Sequence, residues 1–455
     1  MDYNVKKLAL SMKKISILGL GYVGLCTAVS FASKRFKIIG VDVNSEKVKM
    51  INEGKAPIYE SGLDELLKRS VDSQMLHCAE DCGYAVRNSG ISFITVGTPY
   101  RPDVSIDLKY VKSVAKSVGN ALKNKEEYHM VVVKSTVLPG TTEKIVIPII
   151  EKHSGKRCGL AFDVCYNPEF LREGSAIKDI LNPDRIIIGE FSRQSGDRLE
   201  SLYRDFYENK LPPVIRTNPS TAELIKYVNN CFLAMKISFM NTIANICQEI
   251  PEADVTTVAK AIGLDRRISP LFLNPGLGYG GSCLPKDIRA LVSFSQKLGY
   301  KPSLLKAVEE VNILQPYKVV RLANRLLGKI RGKRIAVLGL AFKPNTDDLR
   351  DAVSIEVVKG LLKEKAEVVV YDPAAIKNAE KLFKDKVRYA STAFECISDA
   401  DCCIIVTEWP EFKALKCEDF IRRMRTPVVI DGRRIYDPKE FSRKLIFAAI
   451  GLGVL

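Results

Sequence analysis

Cys283 is the residue whose surroundings most suggest covalent chemistry. It follows a glycine-rich stretch, NPGLGYGGS, and stands at the start of a predicted helix that reads CLPKDIRAL. A helix N-terminus and a nearby cation such as Lys286 both favour the thiolate, which is the nucleophilic form of cysteine. Asp287 comes four residues after the thiol and therefore faces the same side of that helix. A lone cysteine is more often a packing residue, so the pattern by itself leaves both interpretations open.

Three glycines near the start of the chain suggest a binding site for a dinucleotide. Gly19, Gly21 and Gly24 form G-x-G-x-x-G between a predicted strand and a predicted helix, and Asp42 ends the next strand. Such glycines permit a tight turn and bring a pyrophosphate close to the helix N-terminus, whose dipole favours an anion. The acid accepts hydrogen bonds from the adenosine ribose and repels a 2′-phosphate. The pattern predicts NAD rather than NADP, with a purely structural glycine turn as the alternative.

Further polar residues occupy positions where ligands commonly bind. Thr98 in VGTP and Thr136 in KST follow predicted strands, at the carboxyl edge of the sheet. Lys226 and Asn230 are four residues apart on a predicted helix, so both can point at one spot. A cation and an amide at one spot are suited to stabilising a developing negative charge. Ordinary loop residues and a solvated helix face are the alternatives.

These residues require two α/β units to position them. Residues 14–44 predict one βαβ unit, and ISFITVGTP, HMVVVKSTV and IIIGE continue the strands. A second βαβ unit begins at Lys333, followed by the strand-like runs CCIIVT and PVVIDG. It retains a single glycine of the fingerprint, Gly339, and its longer turn would suit one nucleotide whose diphosphate meets Lys343. The predicted fold class is α/β, with two Rossmann-like doubly wound parallel-sheet lobes joined by a long central helix.

The central helix is predicted from Ser220 onward, over about 30 residues or roughly 45 Å. Ser220 and Glu223 have the spacing of a capping box. Apolar residues recur along it at helical spacing, namely Ile225, Val228, Phe232, Met235, Phe239, Ile243, Ile246 and Ile250. We expect this helix to bridge two domains and to carry a subunit interface. The predicted domains are residues 1–215, 216–328 and 329–455.

Composition excludes several classes of protein. The net charge is +16, but the basic residues are spread along the chain without a basic tail, zinc-finger spacing or an RNP motif. An anionic small molecule is therefore a better partner than nucleic acid. The three histidines lie away from every motif, so neither a metal site nor histidine catalysis is expected. Twelve cysteines without CxxC or an export signal predict reduced thiols in the cytoplasm.

The two ends of the chain give weaker signals. The apolar stretch from Leu445 to Leu455 is too short to span a bilayer of about 30 Å and predicts a buried terminal strand. No membrane partner is therefore expected. Met12 is a candidate natural start, because the first strand begins directly after it.

Eight motifs, in order, resemble the UDP-glucose/GDP-mannose dehydrogenase family: GLGYVG, VGTP, KSTVLPGTT, NPEFLREG, ELIKYVNN, GGSCLPKD, FKPNTDDLRD and DGRR. They span nearly the whole chain. The nearest branch oxidises UDP-glucose, and GDP-mannose dehydrogenases are the nearest rival. The UDP-N-acetylmannosamine branch typically shows GGHC where this chain has GGSC. The resemblance implies two hydride transfers to NAD, with carbon 6 of UDP-glucose passing from alcohol to aldehyde and, through a thiohemiacetal and thioester on Cys283, to acid.

The resemblance also implies roles for individual residues. Lys226 and Asn230 match the active-site lysine and its adjacent amide, and Glu169 in NPEF matches the acid that serves thioester hydrolysis. Thr136 and Asp287 match residues that hold a water near carbon 6. The catalytic set is therefore Cys283, Lys226, Asn230, Asp287, Thr136 and Glu169.

Ligand contacts follow in the same way. The family's cofactor contacts fall on Gly19, Gly21, Tyr22, Val23, Gly24, Asp42, Lys47, Thr98, Thr136, Glu173, Lys286 and Arg350. Its substrate contacts fall on Glu169, Phe170, Leu171, Lys226, Asn230, Arg267, Phe272, Asn274, Gly276, Tyr279, Gly280, Cys283, Phe342, Lys343 and Arg433. Arg267 matches an arginine that reaches into a neighbouring subunit's site, which implies at least a homodimer.

Three other functions compete with this interpretation. A GDP-mannose dehydrogenase would use the same residues, whereas a β-hydroxyacid dehydrogenase of similar layout makes one hydride transfer and needs no thiol. A non-catalytic sensor of NAD and nucleotide sugars could share the same fold. Retention of Cys283, Lys226, Asn230 and Asp287 together argues against the sensor.

Overall fold

A computed structural model describes residues 13–101 and 106–453. The chain separates into two compact units, Met1–Val228 and Asn229–Leu455, with the division inside the long helix. The expected boundaries at residues 215 and 328 remain a prediction. The candidate start at Met12 lies outside the described residues.

The first unit is built on an eight-stranded sheet with the order β3-β2-β1-β4-β5-β6-β7-β8. Neighbouring strands are parallel, as predicted, except for the antiparallel pair β6 and β7. The strand order reverses between β1 and β4, which is the position where ligands bind in such sheets. The strands are β1 Lys14–Leu18, β2 Lys37–Val41, β3 Leu76–Ala79, β4 Ile91–Ile94, β5 His129–Val133, β6 Phe162–Tyr166, β7 Ile186–Glu190 and β8 Val214–Thr217.

Helices cover both faces of this sheet. The first is rich in small residues and is buried along most of its length, which lets it pack closely on β1 and β2. A π-helical turn, Thr142–Val146, precedes the sixth. The helices are α1 Tyr22–Ser33, α2 Ser45–Asn52, α3 Leu63–Asp72, α4 Cys82–Arg87, α5 Lys109–Lys123, α6 Ile147–Ser154, α7 Ala176–Leu181 and α8 Arg193–Phe206.

The long helix α9 runs from Pro219 to Cys247, a length of 29 residues. The Asn218 side chain caps it by accepting a hydrogen bond from the Thr221 N–H at 2.8 Å. The predicted capping box is therefore wrong. The Ser220 hydroxyl lies inside the helix and donates to Glu143, and the Glu223 carboxylate is drawn to a different backbone turn.

The apolar pattern of α9 divides between two faces. Buried residues, Ala234, Met240 and Ala244 among them, pack inward. Several residues of the predicted stripe point to solvent instead, namely Val228, Phe232, Phe239, Ile246 and, just beyond the helix, Ile250. The periodicity identified the helix correctly but did not mark its buried face.

The second unit has a six-stranded, wholly parallel sheet with the order β11-β10-β9-β12-β13-β14. The predicted terminal strand exists, but burial of the whole tail is wrong, because β14 is an edge strand whose first residue is exposed. The strands are β9 Arg334–Leu338, β10 Glu367–Tyr371, β11 Arg388–Tyr389, β12 Cys402–Ile405, β13 Val428–Asp431 and β14 Ile446–Ala449.

The helices of the second unit divide into a group before the sheet and a group that packs on it. The predicted second βαβ unit is confirmed, with residues 339–352 forming the long turn before its helix. The earlier helices are α10 Val255–Gly263, α11 Leu284–Lys297, α12 Ser303–Leu314 and α13 Tyr317–Leu327. The later ones are α14 Val353–Lys363, α15 Ile376–Phe383, α16 Ala393–Ile397, α17 Pro410–Lys413, α18 Cys417–Arg423 and α19 Pro438–Ser442, with a 3-10 turn at Lys384–Lys386.

Two further features concern the cysteines and the length of the helices. All twelve cysteines are free thiols, in agreement with the predicted reduced state. Within residues 13–101 and 106–453, no helix combines the length and the apolar character needed to cross a bilayer.

Candidate active site

The glycine turn between β1 and α1 has the geometry of a pyrophosphate site. Gly19 adopts a φ of +105°, which side chains other than glycine rarely adopt. A Cβ on Gly24 would lie 1.8 Å from the carbonyl oxygen of Gly19, so this position must be glycine for the helix to start here. A Cβ on Gly21 would meet no atom within 4 Å. The turn therefore leaves open space before the uncapped N-terminus of α1, where backbone N–H groups favour an anion.

Asp42 lies directly after β2, as predicted, and its side chain is only slightly exposed. Its carboxylate accepts hydrogen bonds from the backbone N–H of Leu20 at 3.0 Å and of Asn44 at 3.1 Å. Lys47 on α2 forms an ion pair with it at 3.0 Å. These contacts fix the carboxylate beside the glycine turn, where an adenosine ribose would sit.

Tyr22, the first residue of α1, holds a second loop near this turn. Its hydroxyl accepts a hydrogen bond from the Gly174 N–H at 2.8 Å. The Glu60 carboxylate accepts from the same N–H at 2.7 Å and from the Ala176 N–H at 2.9 Å. Glu173 is therefore on a loop that two side chains anchor. Glu60 could not be predicted from the sequence, because nothing in its local pattern distinguishes it from a surface acid.

The two predicted strand-end motifs meet at the carboxyl edge of the first sheet. The Thr98 hydroxyl donates to the carbonyl oxygen of Thr136 at 2.9 Å. The Ser135 hydroxyl donates to the carbonyl oxygen of Val96 at 2.6 Å. VGTP and KST are thus bonded to each other, and the expected location of Thr98 and Thr136 is confirmed.

Glu169 and Lys226 form a buried ion pair in the first unit. The Lys226 ammonium lies 2.9 Å from the Glu169 carboxylate and donates to the Glu169 carbonyl oxygen at 2.7 Å. The Leu171 N–H donates to the same carboxylate at 2.6 Å, and the Phe170 ring lies beneath the ammonium. Burial raises the pKa of Glu169, but Lys226, this N–H and Lys134 outweigh burial and hold the pKa below its ordinary value. Lys226 is therefore no solvated helix residue.

Lys134, the first residue of the KST motif, adds a second buried cation to this pair, and its burial was not predicted from the sequence. It follows β5, and its ammonium donates to the Asn167 side chain at 2.8 Å. Burial lowers the pKa of Lys134 to about 8; Glu169 opposes this shift and Lys226 adds to it. With Glu169 and Lys226 it makes a buried group of two cations and one anion, which favours a further negative charge nearby.

Glu223 fastens the loop that follows KST to α9. Its carboxylate accepts from the Gly140 N–H at 2.6 Å, and from the N–H and hydroxyl of Thr142 at 2.8 and 2.6 Å. Burial raises the pKa of Glu223 to about 7, although these three hydrogen bonds act in the opposite direction. The loop that begins with Thr136 is therefore tied to the helix that carries Lys226.

In the second unit, Cys283 is the N-cap residue of α11, as the sequence predicts. The Asp287 carboxylate lies one turn later and is buried. It accepts a hydrogen bond from the Asn230 side chain at 2.6 Å and pairs with Lys286 at 2.6 Å. The other eleven cysteines have thiols whose pKa burial raises. They are poor nucleophiles for that reason.

The glycine loop before Cys283 gathers several predicted substrate contacts. A Cβ on Gly281 would lie 2.7 Å from the Phe342 ring, and one on Gly280 would lie 2.4 Å from the Asp351 carbonyl oxygen. The Arg433 guanidinium donates to the Gly278 carbonyl oxygen at 3.3 Å and to that of Val406 at 2.6 Å. The structure thus brings Phe342 and Arg433 against this loop.

The remaining predicted contacts are more exposed to solvent. Arg267 is 89% exposed and pairs with Asp265, and the Arg350 guanidinium pairs with Asp348. Phe272 and Asn274 are exposed, and Lys343 lies over the Phe342 ring. The substrate and cofactor roles of these residues stay predictions.

Three segments of the chain match one family. Residues 13–207 match the NAD binding domain of the UDP-glucose/GDP-mannose dehydrogenase family, residues 220–313 its central domain and residues 336–438 its UDP binding domain. The chain belongs to this family. It is an NAD-dependent dehydrogenase, and the predictions of family, fold class and cofactor are confirmed.

Individual relatives cover almost the whole chain. UDP-glucose 6-dehydrogenase TuaD of Bacillus subtilis is 42% identical over 97% of this chain and 93% of its own length. UDP-glucose 6-dehydrogenase AglM of Haloferax volcanii is 42% identical over 94% and 98%. The structure of a UDP-glucose dehydrogenase from Pyrobaculum islandicum is 40% identical, with a TM-score of 0.88 over 96% of this dehydrogenase and 97% of that chain.

The residues of the first unit fit NAD. The open space at Gly21, the uncapped N-terminus of α1 and the fixed carboxylate of Asp42 are what a pyrophosphate and a ribose require. No group of three or more histidine, cysteine or acidic side chains is placed to hold a metal ion in the part of the dehydrogenase that the structure describes.

Proposed function

We propose that this dehydrogenase oxidises UDP-glucose to UDP-glucuronate, with Cys283 as the covalent nucleophile. The observation that carries the proposal is the environment of this thiol. Cys283 is the N-cap residue of α11, and the buried Asp287 carboxylate follows it by one helical turn. The match to a UDP binding domain and the relatives named UDP-glucose 6-dehydrogenase support this choice of substrate.

The reaction consumes one sugar nucleotide and removes four electrons in two steps. NAD⁺, when bound, accepts one hydride in each of the two oxidations. Asp287 and Lys226, with a water held by Thr136, share the role of base and take the hydroxyl proton of carbon 6 during the first oxidation. The Cys283 sulfur then adds to the aldehyde carbon to give a thiohemiacetal, and loss of hydride and a proton from it gives a thioester.

Charge stabilisation and hydrolysis fall to the remaining residues. Lys226 and Asn230 supply the cation and the amide donor for the oxyanion of the thiohemiacetal. Glu169 is ionised at neutral pH, since its pKa is below the ordinary value. It can therefore take a proton from the water that attacks the thioester, which releases the acid and restores the thiol.

Replacement of the thiol tests this assignment. Cys283→Ser should reduce net turnover by at least about 10³-fold, because serine is a far weaker nucleophile here, while NAD and UDP still bind. Cys82→Ser is the matched control, since Cys82 also stands at a helix N-terminus, as the first residue of α4, and burial raises the pKa of its thiol to about 12. Full activity of Cys283→Ser would disprove the nucleophile.

Two measurements separate the rival functions. The enzyme should produce two NADH per sugar, whereas a simple hydroxyacid-type dehydrogenase produces one. UDP-glucose should exceed GDP-mannose, UDP-galactose and UDP-N-acetylmannosamine in kcat/KM. A protein that binds NAD and UDP-glucose without forming NADH would be a sensor instead.

We further propose that the enzyme is a homodimer. Phe232, Phe239 and Ile246 on α9 are between 51% and 56% exposed and recur every seven residues, so they form one apolar face. Leu264 and Leu271 are further exposed apolar residues in the same unit. Phe239→Asp should convert a dimer to a monomer in light scattering, and Leu382→Asp, at an exposed site on α15, should not.

A cytoplasmic location is also proposed. Twelve free thiols, most of them buried, are typical of a protein that folds in a reducing compartment.

A further inference from the structure

The glycine loop before Cys283 is buried although it has no regular secondary structure. Residues 275–281 are all buried, and none of them belongs to a helix or strand. Buried backbone N–H and C=O groups need hydrogen-bond partners, and a loop cannot supply them from within a ladder. The partners of this loop therefore determine how firmly the start of α11 is held.

Asn312, on α12, pairs with the loop at Tyr279. The Tyr279 N–H donates to the Asn312 side-chain oxygen at 2.8 Å, and the Asn312 amide donates back to the Tyr279 carbonyl oxygen at 3.0 Å. A Cβ on Gly278 would lie 2.6 Å from the same side-chain oxygen, so the glycine permits this close approach. One side chain thus satisfies both backbone groups of one residue, four positions before the thiol.

A second pair of amides holds the loop at Gly276. Its N–H donates to the Asn241 side chain at 2.8 Å, and its carbonyl oxygen accepts from the Gln315 amide at 2.9 Å. The Gln315 oxygen accepts in turn from Asn245 at 3.0 Å. Asn241 and Gln315 are buried, so these bonds are shielded from competing water.

We propose that Asn312, with Asn241 and Gln315, forms an amide clamp that positions the Cys283 thiol by fixing the backbone of its loop. These are positioning residues, because they act through the backbone and not on the substrate. The inference rests on the proposed function of Cys283 as nucleophile. A nucleophile must be held within about 0.5 Å of its attacking position. Removal of the residues that hold it should therefore lower the reaction rate by roughly 10- to 100-fold.

Variants of Asn312 test the clamp. Asn312→Ala should lower kcat by 10- to 100-fold with little change in NAD affinity, and should alter the rate at which iodoacetamide alkylates Cys283, followed by mass spectrometry. Asn324→Ala is the matched control, because Asn324 donates to the carbonyl oxygen of Val320 in its own helix. That control should keep the wild-type kcat and alkylation rate.

The carboxylate variant gives a signature that lost stability alone does not. The ionised carboxylate introduced by Asn312→Asp cannot donate to the Tyr279 carbonyl oxygen, whereas the protonated carboxylic acid can. Its kcat relative to wild type should therefore rise as the pH falls, a trend absent from Asn312→Ala. Gln315→Glu serves the same purpose at Gly276 if the Asn312 variants fail to fold.

Two outcomes would overturn the clamp. One is a kcat and Cys283 alkylation rate equal to wild type in a folded Asn312→Ala. The other is an Asn312→Asp variant whose relative kcat does not respond to pH. Failure of the proposed function is recognised separately, since Cys283→Ser would then remain active. Alkylation of Cys283 requires no turnover, so its rate still tests whether the clamp positions the thiol.

Discussion

The glycine turns that open the two βαβ units begin with the same backbone geometry. Gly19 and Gly339 have φ angles of +105° and +98°. The N–H of each donates at 2.8 Å to the carbonyl oxygen of the last residue of the second strand, which is Val41 in the first unit and Tyr371 in the second. Asp42 and Asp372 follow those strands at equivalent positions. The backbone at the start of both turns is therefore the same.

The two turns differ in what they leave available to a ligand. In the first unit α1 begins three residues after Gly19, whereas α14 begins fourteen residues after Gly339. Asp372 is buried, and its carboxylate accepts from four backbone N–H groups and the Trp409 indole. Asp42 accepts from two backbone N–H groups and pairs with Lys47. Asp372 therefore stabilises its own loop, whereas Asp42 is predicted to bind a ribose.

The largest expected effect comes from removal of the structural acid. Asp372→Ala leaves five donors without their acceptor, and buried unsatisfied donors cost about 1–3 kcal/mol each before relaxation. We expect a loss of about 3–5 kcal/mol in the free energy of unfolding, measured by urea denaturation. The preference for NAD over NADP should stay unchanged. A shift in that preference would mean that the two acids share a role.

The ends of β5 and β13 offer a second contrast, since these strands hold equivalent places in the two sheets. Lys134 is a buried cation after β5, and Asp431 is a buried acid at the end of β13. Burial lowers the pKa of Lys134 from 10.5 to about 8. Burial raises the pKa of Asp431 above 3.8.

The pH dependence of stability should therefore differ in sign. Below pH 8 Lys134 is protonated in both the folded and the unfolded state, so the full free-energy cost of burying its charge is present. Between pH 8 and 10.5 the folded state loses the proton first, so wild type should gain about 3 kcal/mol relative to Lys134→Met. For Asp431→Asn, wild type should lose relative stability as pH rises above 3.8. A flat difference between wild type and Lys134→Met would show that the lysine is solvated.

An alanine at Gly21 separates ligand contact from folding. Its Cβ meets no protein atom within 4 Å, so the melting temperature should not change. The methyl group would occupy space next to the pyrophosphate, and we expect the Kd for NAD to rise about 30-fold, or about 2 kcal/mol. Gly24→Ala should instead lower both stability and NAD affinity, because its Cβ collides with backbone. An unchanged Kd in Gly21→Ala would place the pyrophosphate elsewhere.

Local patterns predicted the elements of both turns but not the partners of the site residues. The glycine fingerprint and the i, i+4 spacing of Lys226 and Asn230 depend on short stretches of chain, so both can be recognised from the sequence. Their partners, Glu169 and Asp287, come from segments 57 residues away in each case, which no periodicity reveals. The resemblance to a family named Glu169. Spacing placed Asp287 on the same side of its helix as Cys283, but it did not pair that acid with Asn230.

Features that depend on tertiary burial were missed or misassigned. A lysine such as Lys134 is normally a surface residue, and its burial becomes apparent only when the strands pack. Glu223 has the spacing of a capping residue, but its carboxylate is taken by the turn at residues 140–142. The antiparallel pairing of β6 with β7 follows from long-range strand order and has no local signature.

The smallest expected effect concerns cofactor choice at the ligand-facing acid. Asp42→Asn removes the charge that repels a 2′-phosphate, and it releases Lys47, now 3.0 Å from the carboxylate, to pair with that phosphate. The ratio of kcat/KM for NADP to that for NAD should rise about 5- to 10-fold, or about 1 kcal/mol. The Asp42→Asn, Lys47→Gln double variant is the control, because it lacks both charges and should show a smaller rise. If the single and double variants show the same rise, Lys47 takes no part. If neither changes the ratio, the ribose is read by another group, and the two acids do not differ in the way their surroundings indicate.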